Sequence, residues 1–209
     1  AFASALIGEA ALLSGDLELA ETELAESVDL HRDLGSHGGA AVSLQRLAEV
    51  RIAQGDLLEA TELLERALPL ARTSLVANHL IQRIFGSLIT AAPDPEQARV
   101  VVDRAEATVG WEDICSFCSV MLAVPATIAC ARVGDLDHAH RHLELAEQST
   151  ALWRGTSWAA AVVEARAAVA IAVGDADAAR ALLTEAGRGY ELAGQPLDAD
   201  RCLAALESV

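Results

Sequence analysis

The chain has 209 residues, is 53% apolar and only 3% aromatic, and carries a net charge of −16. That length supports one large domain or a short repeat array. Every one of its 15 basic residues is Arg, and so acidic a chain is repelled by nucleic acid and by anionic membrane surfaces. Abundant Ala and Leu with few aromatic or β-branched residues is helix-forming chemistry, which disfavours all-β and doubly wound folds.

Mean hydropathy is positive at +0.30, yet Glu164, Arg166 and Pro125 interrupt the most apolar stretches. No run approaches the ~18 apolar residues that a membrane span needs, and no basic-then-apolar leader is present. Four Cys in a chain of this size make no disulfide framework, so a cytoplasmic location is expected. The sequence opens on Ala1 in helical pattern, which suggests a segment of a longer protein.

In chain order, helical patterning predicts first helices over 2–14, 40–54, 77–91, 117–133 and 157–173. Second helices alternate with them over 16–34, 56–73, 94–109, 135–151 and 175–193, and a last helix covers 196–206. Breaks are expected at Gly35–Gly39, Gly110, Gly155 and Gly194.

Junctions at Gly15-Asp16, Gly55-Asp56, Pro93-Asp94, Gly134-Asp135 and Gly174-Asp175 separate the members of each pair, at spacings of 40, 38, 41 and 40 residues. Gly after a helix adopts the left-handed conformation that satisfies the last carbonyls. The following Asp accepts from the exposed amides of the next helix. Asp56 with Glu59, and Asp94 with Pro95 and Gln97, add capping-box signals.

A second register runs through the second helices. Ala20, Ala60, Ala98, Ala139 and Ala179 are followed four residues later by Leu24, Leu64, Val102, Leu143 and Leu183. Three further on stand Ser27, Ala67, Ala105, Ala146 and Ala186. Spacing of four then three places each trio on one helical face. Gly8, Ala48, Gly86, Thr127 and Ala167 hold the matching position of each first helix, where small side chains permit close approach.

With this small–large–small seam, the chain resembles the tetratricopeptide repeat family. It departs in its longer period and in having aliphatic residues where that family is often aromatic. The resemblance implies an all-α, right-handed α-solenoid of about five helical hairpins plus a C-terminal packing helix. The repeats would run over 1–36, 37–76, 77–114, 115–155 and 156–195, with a terminal helix in 196–209, as a single domain. First helices line the concave groove in that family. Its spacing implies a groove carrying Val42, Gln45 and Glu49, then Arg83, Ser87 and Thr90, then Val124, Ile128 and Glu164. The expected partner-binding residues are Gln45, Glu49, Arg83, Ser87, Thr90 and Glu164.

Other constellations compete with the groove. Cys115 and Cys118 with His138, His140 and His142 form a zinc-like string. In antiparallel helices, however, Cys118 and His142 stand about 8 residues out of step, roughly 12 Å at 1.5 Å per residue. Small buried Cys side chains and a solvated His face are expected instead. A thiol role lacks a thioredoxin-like context. His31-Arg32-Asp33 and His37-Gly38-Gly39 resemble fragments of catalytic loops but lack their companion motifs, and both are expected at a helix end and its loop. The carboxylates Glu18, Glu21, Glu23 and Glu26 suggest a solvated outer face. Trp111, Trp153 and Trp158 would fill wider gaps around the third and fourth repeats, or anchor a partner. No catalytic residue, metal site or cofactor is expected.

Val124-Pro125-Ala126-Thr127-Ile128-Ala129-Cys130-Ala131-Arg132-Val133-Gly134-Asp135-Leu136 and Ala193-Gly194-Gln195-Pro196-Leu197-Asp198-Ala199 are similar to repeat regions of large bacterial transcriptional regulators, the ATP-binding LuxR type. That resemblance implies a non-catalytic arm that binds a protein or peptide segment, or a small-molecule effector, without touching nucleic acid or membrane itself. Two alternatives are a constitutive scaffold in another multidomain signalling protein and a metal or thiol enzyme using Cys115 and Cys118. Exposed solenoid ends are expected to favour self-association.

Overall fold

The computed structural model describes residues 1–109 and 117–209, which contain helices and turns and no strand. The helices are α1 (Phe2–Ser14), α2 (Leu17–Asp33), α3 (His37–Gln54), α4 (Leu57–Arg72), α5 (Ala77–Ala91) and α6 (Pro95–Val109). They continue with α7 (Val120–Arg132), α8 (Leu136–Thr150), α9 (Ser157–Ala172), α10 (Ala176–Leu192) and α11 (Pro196–Leu206). The chain forms two compact units, Ala1–Ile114 and Cys115–Val209.

Four junctions end their helices identically. At Gly15, Gly55, Gly134 and Gly174 φ lies between 75° and 87°. In the first of them the Gly15 amide donates to the Leu12 carbonyl and the Asp16 amide to the Ala11 carbonyl. The same pair of bonds recurs at the other three and consumes carbonyls that would otherwise be orphaned. Asp16, Asp56, Asp135 and Asp175 then accept from the amide three residues on. At the remaining junction Ala92 is extended, and Asp94 accepts from the Gln97 amide at 2.8 Å. Local hydrogen bonding therefore fixes where each hairpin turns.

Burial follows the small–large–small seam. Ala20, Leu24 and Ser27 are fully buried, as are Ala60, Leu64 and Ala67. Ala98, Val102 and Ala105, and likewise Ala179, Leu183 and Ala186, are also core residues, whereas Leu143 is half-buried between buried Ala139 and Ala146. Across the first seam, a Cβ on Gly8 would stand 2.6 Å from Leu24 Cγ. In the first unit, consecutive helices from α1 to α6 pack on one another, and α3 also touches α1 and α5. In the second unit α7 packs on α8 and α9, α8 on α9, α9 on α10, and α10 on α11.

Two boundaries differ from expectation. Helix α3 starts at His37 rather than 40, so His37-Gly38-Gly39 form its first turn instead of a loop. The glycines serve close packing there: a Cβ on Gly39 would lie 2.2 Å from His31 Nδ1, and one on Gly38 would lie 2.8 Å from Ser74 Oγ. Helix α7 starts at Val120 rather than 117, which leaves Cys118 in the turn before it.

Candidate functional site

In the first unit the residues expected to face a groove come together on α3 and α5. Gln45 Nε2 donates to Glu49 Oε1 at 2.6 Å and approaches Ser87 Oγ at 2.8 Å, and Ser87 Oγ donates to Glu49 Oε1 at 3.1 Å. Gln45 and Ser87 are buried; Glu49 and Arg83 are half-buried. Thr90 is exposed one turn beyond Ser87, its hydroxyl donating to the Gly86 carbonyl.

The groove spacing missed Glu9, Arg46 and His79. Arg46 pairs with Glu9 on α1 and with Glu49, and Arg83 lies 3.8 Å from Glu9. Two guanidinium groups and two carboxylates thus meet across α1, α3 and α5. Burial pushes the Glu49 carboxyl up, but Arg46 and Arg83 outweigh that and hold it below the usual carboxylate range. Burial opposes the charge of Arg46, and Glu49 and Glu9 more than restore it. Burial, then the charges of Arg83 and Arg46, push His79 down and favour its neutral form. Within this network the Gln45 Oε1 acceptor is buried and receives no donor, although buried polar atoms are normally satisfied. The repeat register conceals this network, because Leu6 and Ile84 occupy the places in α1 and α5 that correspond to Arg46.

Glu164 belongs to a different cluster, in the second unit. Tyr190 Oη donates to it at 2.8 Å, and Arg201 on α11 reaches both its oxygens at 2.7–2.8 Å. Burial and the Glu164 charge raise the Tyr190 phenol well above its ordinary value, so it remains a donor. Arg201 also pairs with Asp198. Glu164 therefore fastens α11 to α9 and α10. Val124 lies inside the apolar core of this unit and Ile128 packs against it; Val42 is half-buried on α3.

Cys115 and Trp111 lie outside the described residues. Cys118 is buried in the turn before α7. His138 bonds to Asp135, His140 to the Leu136 carbonyl, and His142 is buried. Burial, then the charge of Glu164, push the Cys202 thiol up to about 12, so at neutral pH it is a thiol and a poor nucleophile. Trp153 packs on Phe117 with ring centroids 4.3 Å apart and planes tilted by 40°, and donates from Nε1 to the Phe117 carbonyl. Trp153 and Trp158 both pack against the core of the second unit. No described helix is long and apolar enough to cross a membrane.

The tetratricopeptide repeat model matches residues 1–73. No curated protein matches the chain. The crystal structure of BtubC (BKLC) from P. vanneervenii is similar in fold, with a TM-score of 0.55 at 18% identity, covering 92% of this chain and 90% of that one. A thermophilic TPR protein of Thermus thermophilus, TTC0263, aligns at 19% identity with a TM-score of 0.47, over 91% of this chain and 100% of its own. Repeats of this kind suggest protein-interaction scaffolds. Among its described residues the chain is all-helical, consistent with the α-solenoid class, and it is tetratricopeptide-like over its first 73 residues.

Proposed function

We propose that this chain is a non-catalytic partner-binding arm of a bacterial transcriptional regulator, and that the α1–α3–α5 face of its first unit holds a peptide segment of the partner. The single observation that carries the binding role is the network of Gln45, Glu49, Arg83 and Ser87 with Glu9 and Arg46, which gathers paired charges and polar side chains from α1, α3 and α5. Its two cations and two carboxylates offset each other, which favours an uncharged polar group such as a main-chain amide over a strongly ionic effector. The regulator context is supported by the sequence strings Val124–Leu136 and Ala193–Ala199.

A displayed library of extended peptides, screened against the whole chain and followed by calorimetry, tests the binding role. Bound peptides should lose at least tenfold in affinity to Gln45→Ala, while Thr184→Ala, on an exposed position of α10, leaves binding unchanged. Peptides whose affinity ignores Gln45→Ala would refute this face as the site.

A further inference from the structure

Helix α2 turns into α3 at Leu34–Ser36, and the inside of that corner is filled by a histidine ring. His31, in the last turn of α2, lies over Gly39 of α3. A Cβ on Gly39 would meet His31 Nδ1 at 2.2 Å and Cε1 at 2.3 Å, so the imidazole takes the place of a Gly39 side chain. Its Nδ1 is buried and has no hydrogen-bond partner. A neutral ring carries a lone pair there; an imidazolium would carry a buried N–H and a charge with no acceptor.

The surroundings do not offset that cost. On α2, Asp29 and Arg32 pair with each other at 3.7 Å, and Glu26 and Asp33 are exposed. On α3, His37 is exposed and bonds to Thr73 at 3.0 Å, while Arg46, Glu49 and Arg51 are engaged further along the helix. On α1, Glu9 pairs with Arg46, and the amino group of Ala1 repels a proton from the ring. A helix end favours a cation, but here the amides of Leu34, Gly35 and Ser36 already occupy the carbonyls of Leu30, Arg32 and His31. Burial, then the Ala1 charge, push the His31 imidazole below its ordinary value. The repeat register puts Ala71, Val109, Thr150 and Tyr190 at this place in α4, α6, α8 and α10. Only the α2 position therefore holds a group that titrates near neutrality.

We propose that His31 makes the α2–α3 corner a proton-sensitive joint: neutral, its ring closes the corner against Gly39; protonated at Nδ1, it leaves for solvent and the first turn of α3 loosens. The rest of the α2–α3 interface stays shut. Ser27 and Ser43 meet at its middle, and Arg51 and Gln54 hold a Glu21 carboxylate that stays ionised down to about pH 2. At the corner itself Gly38 abuts Ser74 and His37 bonds to Thr73, both at the end of α4, so acid loosens the joint between the first two hairpins. The unfolded chain takes up the proton more readily than the folded one, so the corner's stability is complete above about pH 6.5 and falls below it. This holds whether or not the α1–α3–α5 face binds a peptide.

Hydrogen exchange of the full chain, read by mass spectrometry and corrected for intrinsic rates, is measured from about pH 7.5 to about pH 5. Protection over residues 34–41 should fall severalfold across this range while that of α4 stays level. His31→Gln cannot titrate and should give a flat profile over 34–41, whereas His37→Gln should keep the dependence of the parent. Should glutamine leave the corner open at every pH, His31→Phe, which restores a neutral ring, should close it and give the flat profile. Proton NMR of the parent should show His31 titrating below the ordinary imidazole value. A flat parent profile, a pH dependence that survives removal of the His31 imidazole, or a His31 that titrates at or above the ordinary value overturns the proposal.

Discussion

Replacing Leu64 by Ala isolates the seam on which the hairpins depend. Leu64 is fully buried on α4, flanked on its face by the fully buried Ala60 and Ala67. Its loss removes about 2–2.5 kcal/mol of transfer free energy at ~0.8 kcal/mol per buried carbon. The cavity it leaves adds to this, because small neighbours cannot swing in to fill it, for a total of about 3–4 kcal/mol. Leu58→Ala, six residues earlier on the same helix and 74% exposed, is the matched control and should stay within about 0.5 kcal/mol. Urea denaturation followed by circular dichroism measures both. Because the chain forms two compact units, the transitions are fitted without assuming a single cooperative step. In a chain of this size the Leu64 variant should lose roughly 6–16 °C in Tm. A Leu64→Ala cost below about 1 kcal/mol, or one equal to that of Leu58→Ala, would refute the claim that the seam carries the hairpin.

Three further perturbations probe other contacts. Gly8→Ala places a methyl 2.6 Å from Leu24 Cγ and should destabilise by about 1–3 kcal/mol; Gly187→Ala, whose nearest neighbour would be 3.6 Å away, should gain about 0.5–1 kcal/mol from helix propensity. Thermal melts distinguish the two, and equal signs would contradict the packing. Hydrogen bonds from Arg51 and Gln54 hold the Glu21 carboxyl down at about 2, so its stabilisation is complete above about pH 4.5 and is lost as pH falls towards 2. The side chain is 39% exposed and solvent screening keeps the effect small; urea midpoints of the parent should nonetheless fall more steeply than those of Glu21→Gln across that window, and parallel curves would exclude the linkage. Glu164→Gln should raise hydrogen exchange in α11 while sparing α3 and α4, at a cost of about 1 kcal/mol because Arg201 is half exposed; unchanged α11 protection would show that the Arg201 pairing does not fasten the helix.

What could be read without coordinates was local or periodic. Gly15-Asp16 and its repeats terminate and start helices through bonds within six residues, so their chemistry is visible in the string itself. The Ala–Leu–Ala register placed Leu24 and Leu64 in the core because spacing of four and three leaves no other face for them. The Gly38-Gly39 pair misled for a physical reason: glycine marks both a break and a close approach, and only the position of the His31 ring decides between them. Spacing grouped Gln45, Glu49, Arg83 and Ser87, but Arg46 stands where equivalent helices carry Leu6 and Ile84, and a repeat-based reading averages such exceptions away. Glu164 was assigned an open face because its engagement depends on where α11 comes to rest, 37 residues later in the chain.

The junctions have a bearing on how such a chain can grow. At four of them the backbone bonds that end one helix and the Asp bond that begins the next are made within the junction itself. Copying or deleting one such pair in a gene would leave the surviving corners intact, and only the two faces newly brought together would need to be reconciled. Length is then the freely varied property and surface chemistry the constrained one, so arrays of unequal size can descend from one ancestor without a new way of turning the chain.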